Sequence, residues 1–166
     1  MILLFKKIRF PFFALVLFSF FQCTTSLAPR FDEMIFQELS TSSEEVLSFF
    51  SMIENGTEAG SFENREANYN QLIGKFEALE LKTRARPIPA KSVLEKVNHS
   101  LELRNGTEIT GDYPSAYAMG EIAKTLKMMK KTDAQEGLKI KTIQVFKNQV
   151  LIYLDQALTY ENFLNR

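Results

Sequence analysis

The apolar residues beyond position 30 recur three or four positions apart, and this spacing limits the fold more than any other feature of the sequence. An α-helix places residues at that spacing on one face, whereas a strand needs alternation, which is almost absent here. The pattern therefore predicts an all-α fold, an antiparallel bundle of four to five helices. The clearest stripe lies in the last segment: Ile140, Ile143, Phe146, Val150, Leu154, Ala157 and Leu164.

A polar tract divides the first predicted helix, which begins near Phe31 and ends before Asn55-Gly56, a frequent stop signal. Ser40-Thr-Ser-Ser43 lies in the middle of this helix. Within the tract, Ser42 and Glu45 have the spacing of a capping box, in which two side chains satisfy the first backbone N–H groups of a helix. We therefore expect a kink or a second helix start near residue 43.

Proline and Asn-Gly signals bound the later helices, which we expect over residues 64–82 and 90–104, from Pro114 onward, and over the last stripe. Asn55-Gly-Thr-Glu58 recurs 50 positions later as Asn105-Gly-Thr-Glu108. The repeat indicates either a duplicated helical hairpin or chance, because Asn-Gly is common at helix ends.

The first 22 residues have the pattern of a secretion signal and are not counted in the fold. Lys6, Lys7 and Arg9 precede a largely apolar stretch of 12 residues that ends at Phe21, too short to cross a bilayer as a helix. Removal of residues 1–22 leaves 144 residues, enough for one domain with a buried core. We expect Cys23 with a tether over 23–30, and a helical domain over 31–166.

Cys23 is the only cysteine and follows the apolar run directly. The segment Ser19-Phe-Phe-Gln-Cys23 resembles a lipobox, the motif that directs lipid to a cysteine thiol before the leader is cut. The usual motif has Leu at −3 and a small residue at −1, where this chain has Phe20 and Gln22. Two alternatives stay open: ordinary cleavage after Ala28, with Pro29 at +1, and an uncleaved anchor.

Lipidation of Cys23 predicts a protein anchored to a membrane of the bacterial cell envelope, because several acyl chains bind a bilayer stably. Thr24, and not Asp, follows the cysteine. By resemblance to the sorting rule of enteric bacteria, this favours the outer membrane, with the domain facing the periplasm. Without the leader the chain has 17 basic and 20 acidic residues, about −3 in charge. Nucleic acid is not expected as a partner, since its phosphates need clustered cations.

Few residues suit catalysis or metal binding. His99 is the only histidine; with Glu95 and Glu102 on its helical face it is a candidate metal ligand, and with Met119 a candidate haem ligand. A di-iron bundle needs two Glu-x-x-His units and a structural zinc site needs four ligands, which this sequence does not readily supply. We predict no enzyme, no catalytic residues, no cofactor and no metal. A bundle that binds a small ligand, a metal or haem is the alternative.

Three residues are candidates for contact with a partner or an anion. Arg84 and Arg86 lie in Arg-Ala-Arg-Pro-Ile-Pro, where they would clamp an anion or else complement the negative end of the second helix. Tyr160 lies in an aromatic segment that suits either a partner-binding face or core packing. A basic edge on the fourth helix is a contact for anionic lipid or glycan, or a solvated face: Lys124, Lys127, Lys130 and Lys131.

Four segments together resemble an uncharacterised group of small, all-helical bacterial lipoproteins: Leu27–Asp32, Tyr69–Phe76, Arg84–Pro89 and Asp155–Glu161. The resemblance covers most of the chain beyond the leader and implies localisation only, because that group has no known activity. With the leader, it favours a non-enzymatic lipoprotein whose bundle binds another envelope protein as an accessory or scaffold subunit. The three Asn-x-Ser/Thr sequons would matter only in the alternative of a secreted eukaryotic helical protein.

Overall fold

The computed structural model describes residues 27–106, 108–109 and 113–165. Its helices are α1 (Glu33–Met52), α2 (Glu63–Arg84), α3 (Lys91–Asn105), α4 (Pro114–Glu136) and α5 (Ile140–Leu164). A 3₁₀ turn, Ala59–Ser61, precedes α2. The described residues contain five α-helices and no strand, so the predicted all-α bundle is confirmed. The predicted leader and Cys23 lie outside these residues.

Four helices, α1, α2, α4 and α5, form an up-down-up-down bundle. Lys75 of α2 pairs with Glu45 of α1, while Lys82 pairs with Glu38; the numbers run in opposite directions, so the helices are antiparallel. Polar pairs between α2 and α4 and between α4 and α5 run in the same antiparallel sense: Glu66–Lys130, Glu77–Lys127 and Ser115–Glu161. Within the part described, no helix has the length and apolar character of a membrane span.

The bundle has two unlike ends. The turn end comprises residues 53–62 and 137–139, which join α1 to α2 and α4 to α5. The insert end comprises residues 27–32, 85–106 and 158–165, where α3 lies between α2 and α4 in sequence and packs on the last turns of α5. A small apolar cluster holds α3 in place: Val93, Val97, Leu101, Ile109 and Tyr160.

The main core contains most of the stripe predicted for the last helix: Ile143, Val150, Leu154 and Ala157 are buried, whereas Ile140 is 50 % exposed. All four bundle helices contribute large side chains that are fully buried, each worth about 1.5–3 kcal/mol of hydrophobic stabilisation. They include Leu39, Phe50, Tyr69, Phe76, Leu79, Met119, Ile122, Leu126, Met129 and, from α5, Val150.

The predicted second helix start near residue 43 is wrong, because α1 runs without interruption from Glu33 to Met52. The hydroxyls of Ser40 and Ser43 donate to carbonyl oxygens one turn earlier, at 2.9 and 2.7 Å. They therefore bind the existing helix and do not cap a new one. The cap is supplied by Asp32, whose carboxylate accepts two backbone N–H groups of the first turn.

The two Asn-Gly-Thr-Glu segments have different surroundings. After Asn55 the chain turns and α2 packs antiparallel on α1. At the second copy, Gly106 ends α3 with a left-handed φ of 67°. Among the described residues, α3 contacts α5 and has no packing contact with α4. The two copies therefore do not form equivalent hairpins, and the packing gives a duplication no support.

Residues 27–30, predicted as part of a tether, pack onto the domain. The carbonyl of Leu27 accepts the backbone N–H of Ala90 at 2.8 Å. Pro29 is buried, and Ala28 packs against the apolar cluster under α3. The folded part therefore includes Leu27, four residues before the predicted domain boundary.

Candidate functional site

Among the residues that the structure describes, two carboxylates are wholly buried, Asp133 at the turn end and Glu161 at the insert end. A buried carboxylate is a candidate for chemistry or ligand binding, because its desolvation costs several kcal/mol unless partners offset it. Each lies against an arginine, Arg65 and Arg86 respectively. The hydrogen bonds around each pair decide whether any capacity is left for a ligand.

The Asp133 carboxylate accepts four hydrogen bonds. Its Oδ1 accepts from Thr57 Oγ1 at 2.5 Å and from Arg65 Nη2 at 2.8 Å. Its Oδ2 accepts from Arg65 Nε at 2.8 Å and from the Tyr69 hydroxyl at 3.1 Å. Arg65 and Tyr69 are four residues apart on α2, so both face α4. Both carboxylate oxygens are fully engaged.

The Arg65 guanidinium likewise has no unused hydrogen-bond donor. Besides its two bonds to Asp133, Nη1 donates to the carbonyl and hydroxyl oxygens of Ser61 at 3.0 and 2.9 Å. Nη2 also donates to the carbonyl of Glu58 at 3.0 Å. All five N–H groups of the side chain are thereby used. This cluster joins α2, α4 and the 3₁₀ turn, and it leaves no donor for a ligand.

Backbone contacts close the same end. Thr57 and Leu138 exchange backbone hydrogen bonds of 2.9 and 3.3 Å, and the Thr57 hydroxyl accepts from Leu138 N at 2.8 Å. Gly137 between the helices has φ 75°, and a Cβ there would lie 2.4 Å from the Thr57 carbonyl oxygen. Only glycine fits this crossing of the two loops.

The charges of this cluster are fixed near neutral pH. Burial alone would raise the pKa of Asp133, but hydrogen bonds from Arg65, Thr57 and Tyr69 outweigh it and hold that pKa below its ordinary value. Burial, together with the charge of Asp133, raises the pKa of Tyr69. Asp133 therefore stays ionised and Tyr69 stays protonated, which suits a structural clamp better than proton transfer.

An open depression of about 770 Å³ lies beside the cluster around Arg65 and Asp133, which we call the turn-end clamp. Its charged lining is mixed, with Glu58 opposite Lys139 and Lys141, and the start of α5 lies there without a side-chain cap. Arg65, the buried cation at its edge, is fully paired within the chain. The depression is therefore a surface feature with no built ligand site among the described residues.

The Arg86–Glu161 pair at the insert end makes fewer hydrogen bonds than the Arg65–Asp133 pair. Oε1 accepts from Arg86 Nη2 and Ser115 Oγ, both at 2.5 Å, and Oε2 accepts from Arg86 Nη1 at 3.0 Å. This two-pronged contact links α5, the segment after α2 and the first turn of α4. Three buried polar atoms have no hydrogen-bond partner within the described part of the chain: one belongs to the pair itself, Arg86 Nε, and two lie one and five residues before Glu161, Tyr160 OH and Gln156 Oε1.

A cavity of only about 10 Å³ lies at the Arg86 pair. Four of the five prolines of the chain line it, with Arg86 and Tyr160 among the other lining residues: Pro29, Pro87, Pro89 and Pro114. Such a volume holds about one water molecule, whereas small-molecule sites need roughly 300 Å³ or more. Burial raises the pKa of Tyr160 to about 12, so its hydroxyl stays neutral.

The three residues predicted to contact a partner or an anion lie near one another but differ in accessibility. Arg86 binds an anion, but that anion is Glu161 of the same chain. Tyr160 is 1 % exposed and packs under α3, so core packing explains it and its side chain is not available on the surface. Arg84 alone is accessible, with 53 % of its side chain exposed; it pairs with Glu80 at 2.5 Å and lies over the Tyr113 ring.

The predicted basic edge of α4 is largely neutralised by acidic residues. Lys127 and Lys130 pair with Glu77 and Glu66 of α2 at 2.5 and 3.0 Å, and Lys124 pairs within its own helix. Such exposed pairs contribute little, about 0–1 kcal/mol each. Their arrangement favours the interpretation as a solvated face that aligns α2 with α4.

The alternative of a metal or haem at His99 has no geometric basis in the described part. His99 is exposed on α3, whereas Met119 is fully buried in the core of the bundle. No group of three or more His, Cys, Asp or Glu in the described ranges is placed to hold a metal ion. The neighbouring Asn98 has a structural role, because its amide binds both backbone groups of Ile109.

Sequence reasoning missed Arg65, Asp133 and Glu161. A signal was present, because each is a charged residue at a core position of an apolar stripe. Arg65 precedes Tyr69 by four residues, Asp133 follows Met129 by four, and Glu161 follows Ala157 by four. A charged residue on the buried stripe of a helix indicates a buried ion pair, although the stripe does not identify the partner.

Comparison with known proteins finds no match for this chain among family models, curated proteins or solved structures. The resemblance to helical bacterial lipoproteins therefore stays a prediction from the sequence, and function has to be argued from the residues themselves.

Proposed function

We propose that this chain is a lipoprotein of the bacterial cell envelope, anchored through Cys23, whose helical bundle acts as a non-enzymatic binding or scaffold subunit. The leader supports the anchor: it has a basic start, a largely apolar stretch of 12 residues and, after Gln22, the only thiol of the chain. Several acyl chains on one cysteine give stable membrane attachment. Thr24 after the cysteine favours the outer membrane, with the bundle in the periplasm.

The packing of Leu27 and Ala28 is the observation that carries this proposal over ordinary secretion. Cleavage after Ala28 would remove the Leu27 carbonyl that binds Ala90 and the Ala28 side chain that packs under α3. Cleavage before Cys23 keeps both contacts. The buried Pro29 would otherwise become a charged N-terminus in an apolar setting, which is unfavourable.

A binding role is supported by where the polar and apolar groups lie. Both buried ion pairs are consumed within the chain, Arg65–Asp133 and Arg86–Glu161. In contrast, Val145 and Ile152 are exposed and lie seven residues apart on one outward face of α5, with Leu151 beside them. Exposed apolar side chains on a helix face suit contact with another protein.

The anchor is tested by expressing the full chain in a bacterium with labelled palmitate, beside Cys23→Ser. A matched control, Cys23→Ser with Ser26→Cys, keeps one thiol but moves it three positions. We expect label and membrane attachment in the unaltered chain and neither in the two variants. An unlabelled chain, or label that persists in Cys23→Ser, would contradict the proposal.

The binding role is tested with a photo-reactive phenylalanine analogue at Ile152, and at Met128 on α4 as an exposed apolar control. On illumination of intact cells, position 152 should give one discrete cross-linked product that position 128 does not give. Val145→Asp should remove that product, because it places a charge on the same face. Equal cross-linking at both positions, or none at position 152, would count against a partner on α5.

A further inference from the structure

The point at which the chain enters the fold limits where a lipid anchor can lie. Leu27 is fixed at the insert end by its hydrogen bond to Ala90, and the next residues are packed. Cys23 lies four residues upstream, and four extended residues span at most about 14 Å. The 22-residue helix α2 is by comparison about 33 Å long. An anchor at Cys23 therefore stays near the insert end and cannot reach the turn end.

The surface around this entry point has the composition of a membrane-contacting patch. Leu27 and Ile88 are large, exposed apolar residues, and the hydrogen bond between Leu27 and Ala90 brings their segments together. Exposed Arg30 and Lys91 lie within the same two segments. Residues 27–31 and 85–91 contain no acidic residue, and Asp32 and Glu33, the exposed acidic residues that follow Phe31, belong to the cap and first turn of α1. Apolar side chains beside cations suit a bilayer with anionic headgroups.

We infer that the basal patch, defined as Leu27, Arg30, Ile88 and Lys91, lies on the lipid surface in the anchored protein, and that the turn end points away from it. This inference rests on the proposed anchor at Cys23. The occupant of the patch is the bilayer itself, with Arg30 and Lys91 meeting phosphate groups of anionic lipids. The outward face of α5 is then left accessible to a protein partner.

Two nearly matched positions test this orientation. Ile88 at the insert end is 54 % exposed and Met52 at the turn end is 58 % exposed. Ile88→Cys and Met52→Cys each introduce one thiol, and it is the only free one once Cys23 carries lipid. The lipidated full-length variants are labelled with a polarity-sensitive fluorophore. They are then reconstituted in phosphatidylethanolamine–phosphatidylglycerol vesicles that contain lipids with a fluorescence quencher in the headgroup region.

The expected result is strong quenching of the label at position 88 and little quenching at position 52. Replacement of Arg30 and Lys91 by glutamate in the Ile88→Cys background should reduce the quenching in anionic vesicles and change it little in neutral ones. Equal quenching at both positions, or stronger quenching at position 52, would overturn the orientation. If another protein covers the patch in place of lipid, the label at position 88 is not quenched in these vesicles, which contain no protein other than the labelled variant.

Flotation of the same samples and their palmitate content separate the two proposals. A protein that carries lipid and floats with vesicles, but whose label at position 88 is not quenched, refutes the orientation alone. A protein that carries no lipid and stays in the soluble fraction refutes the anchor at Cys23, and the orientation with it.

Discussion

At the turn end the Asp133 carboxylate accepts four hydrogen bonds, and its partner Arg65 uses all five of its N–H groups. At the insert end the Glu161 carboxylate accepts three, and Arg86 Nε and the Tyr160 hydroxyl have no partner among the described residues. Both carboxylates are equally buried, so the difference lies in what surrounds them. At the turn end, neighbouring groups of the chain satisfy the buried ion pair fully. At the insert end, fewer hydrogen bonds reach the buried ion pair.

The chain connections explain this difference. Only short loops meet at the turn end, and their backbones bind each other directly through Thr57 and Leu138. At the insert end the connection from α2 to α4 includes all of α3, and four prolines line the cavity at Arg86. Proline has no backbone N–H, so these positions cannot supply the donors that the loops supply at the other end.

The largest expected loss of stability comes from removing the buried carboxylate of the turn-end clamp. Asp133→Ala should lower the free energy of unfolding by about 3–5 kcal/mol, because it leaves the Arg65 charge buried without a counterion. Urea denaturation measures this loss. Replacing the pair together, Arg65→Met with Asp133→Leu, should recover much of it. A loss below about 1 kcal/mol would mean that the cluster is not the rigid clamp described above.

Alanine substitution of one glycine at each end tests how tightly the backbone packs there. Gly137→Ala should lower stability by about 3 kcal/mol, because its φ of 75° and ψ of 179° are strained for alanine and its Cβ would meet the Thr57 carbonyl. Gly106→Ala at the end of α3 should lower stability by only about 1 kcal/mol. The φ of Gly106 is positive, but a Cβ added there would meet no non-neighbouring atom within 4 Å. Thermal unfolding of both variants measures the contrast; equal losses would contradict the close crossing at Gly137.

At the insert end, Glu161→Ala should destabilise by about 2 kcal/mol, less than Asp133→Ala, because Glu161 accepts three hydrogen bonds where Asp133 accepts four. Ser115→Ala, which removes one of the three donors to Glu161, should lower stability by about 1 kcal/mol. Urea denaturation ranks the variants. A loss for Glu161→Ala that exceeds that of Asp133→Ala would reverse the comparison between the ends.

The smallest expected effect is on the pH dependence of stability. The pKa of Asp133 is lower in the folded chain than its ordinary value of 3.8, so its contribution is present above pH 3.8 and is lost as the pH falls through the folded pKa. Below pH 4 the unaltered chain should therefore lose stability more steeply than Asp133→Asn, with both flat near pH 6. Unfolding at pH 2–5 tests this; parallel curves would show that Asp133 is not held ionised by the clamp.

Local periodicity predicted most of the fold, because α2, α4 and α5 bury most of the apolar residues that recur three or four positions apart in their sequences. Ile140, the first residue of the predicted α5 stripe, is an exception, because it is 50 % exposed. The continuity of α1 was missed, since serine hydroxyls either cap a new helix or bind the preceding turn, and sequence does not distinguish the two. The burial of Tyr160 depends on α3 folding back over α5. Arg65 and Asp133 are 68 residues apart, so only the tertiary fold pairs them.

The mass of the mature chain, purified from membranes with detergent, shows whether Cys23 is its lipidated first residue. Anchoring at Cys23 predicts a polypeptide that begins at Cys23, and an N-terminal peptide through Arg30 that carries diacylglycerol and acyl groups on Cys23. A polypeptide that begins at Pro29 without lipid, or one that retains Met1, would contradict the account.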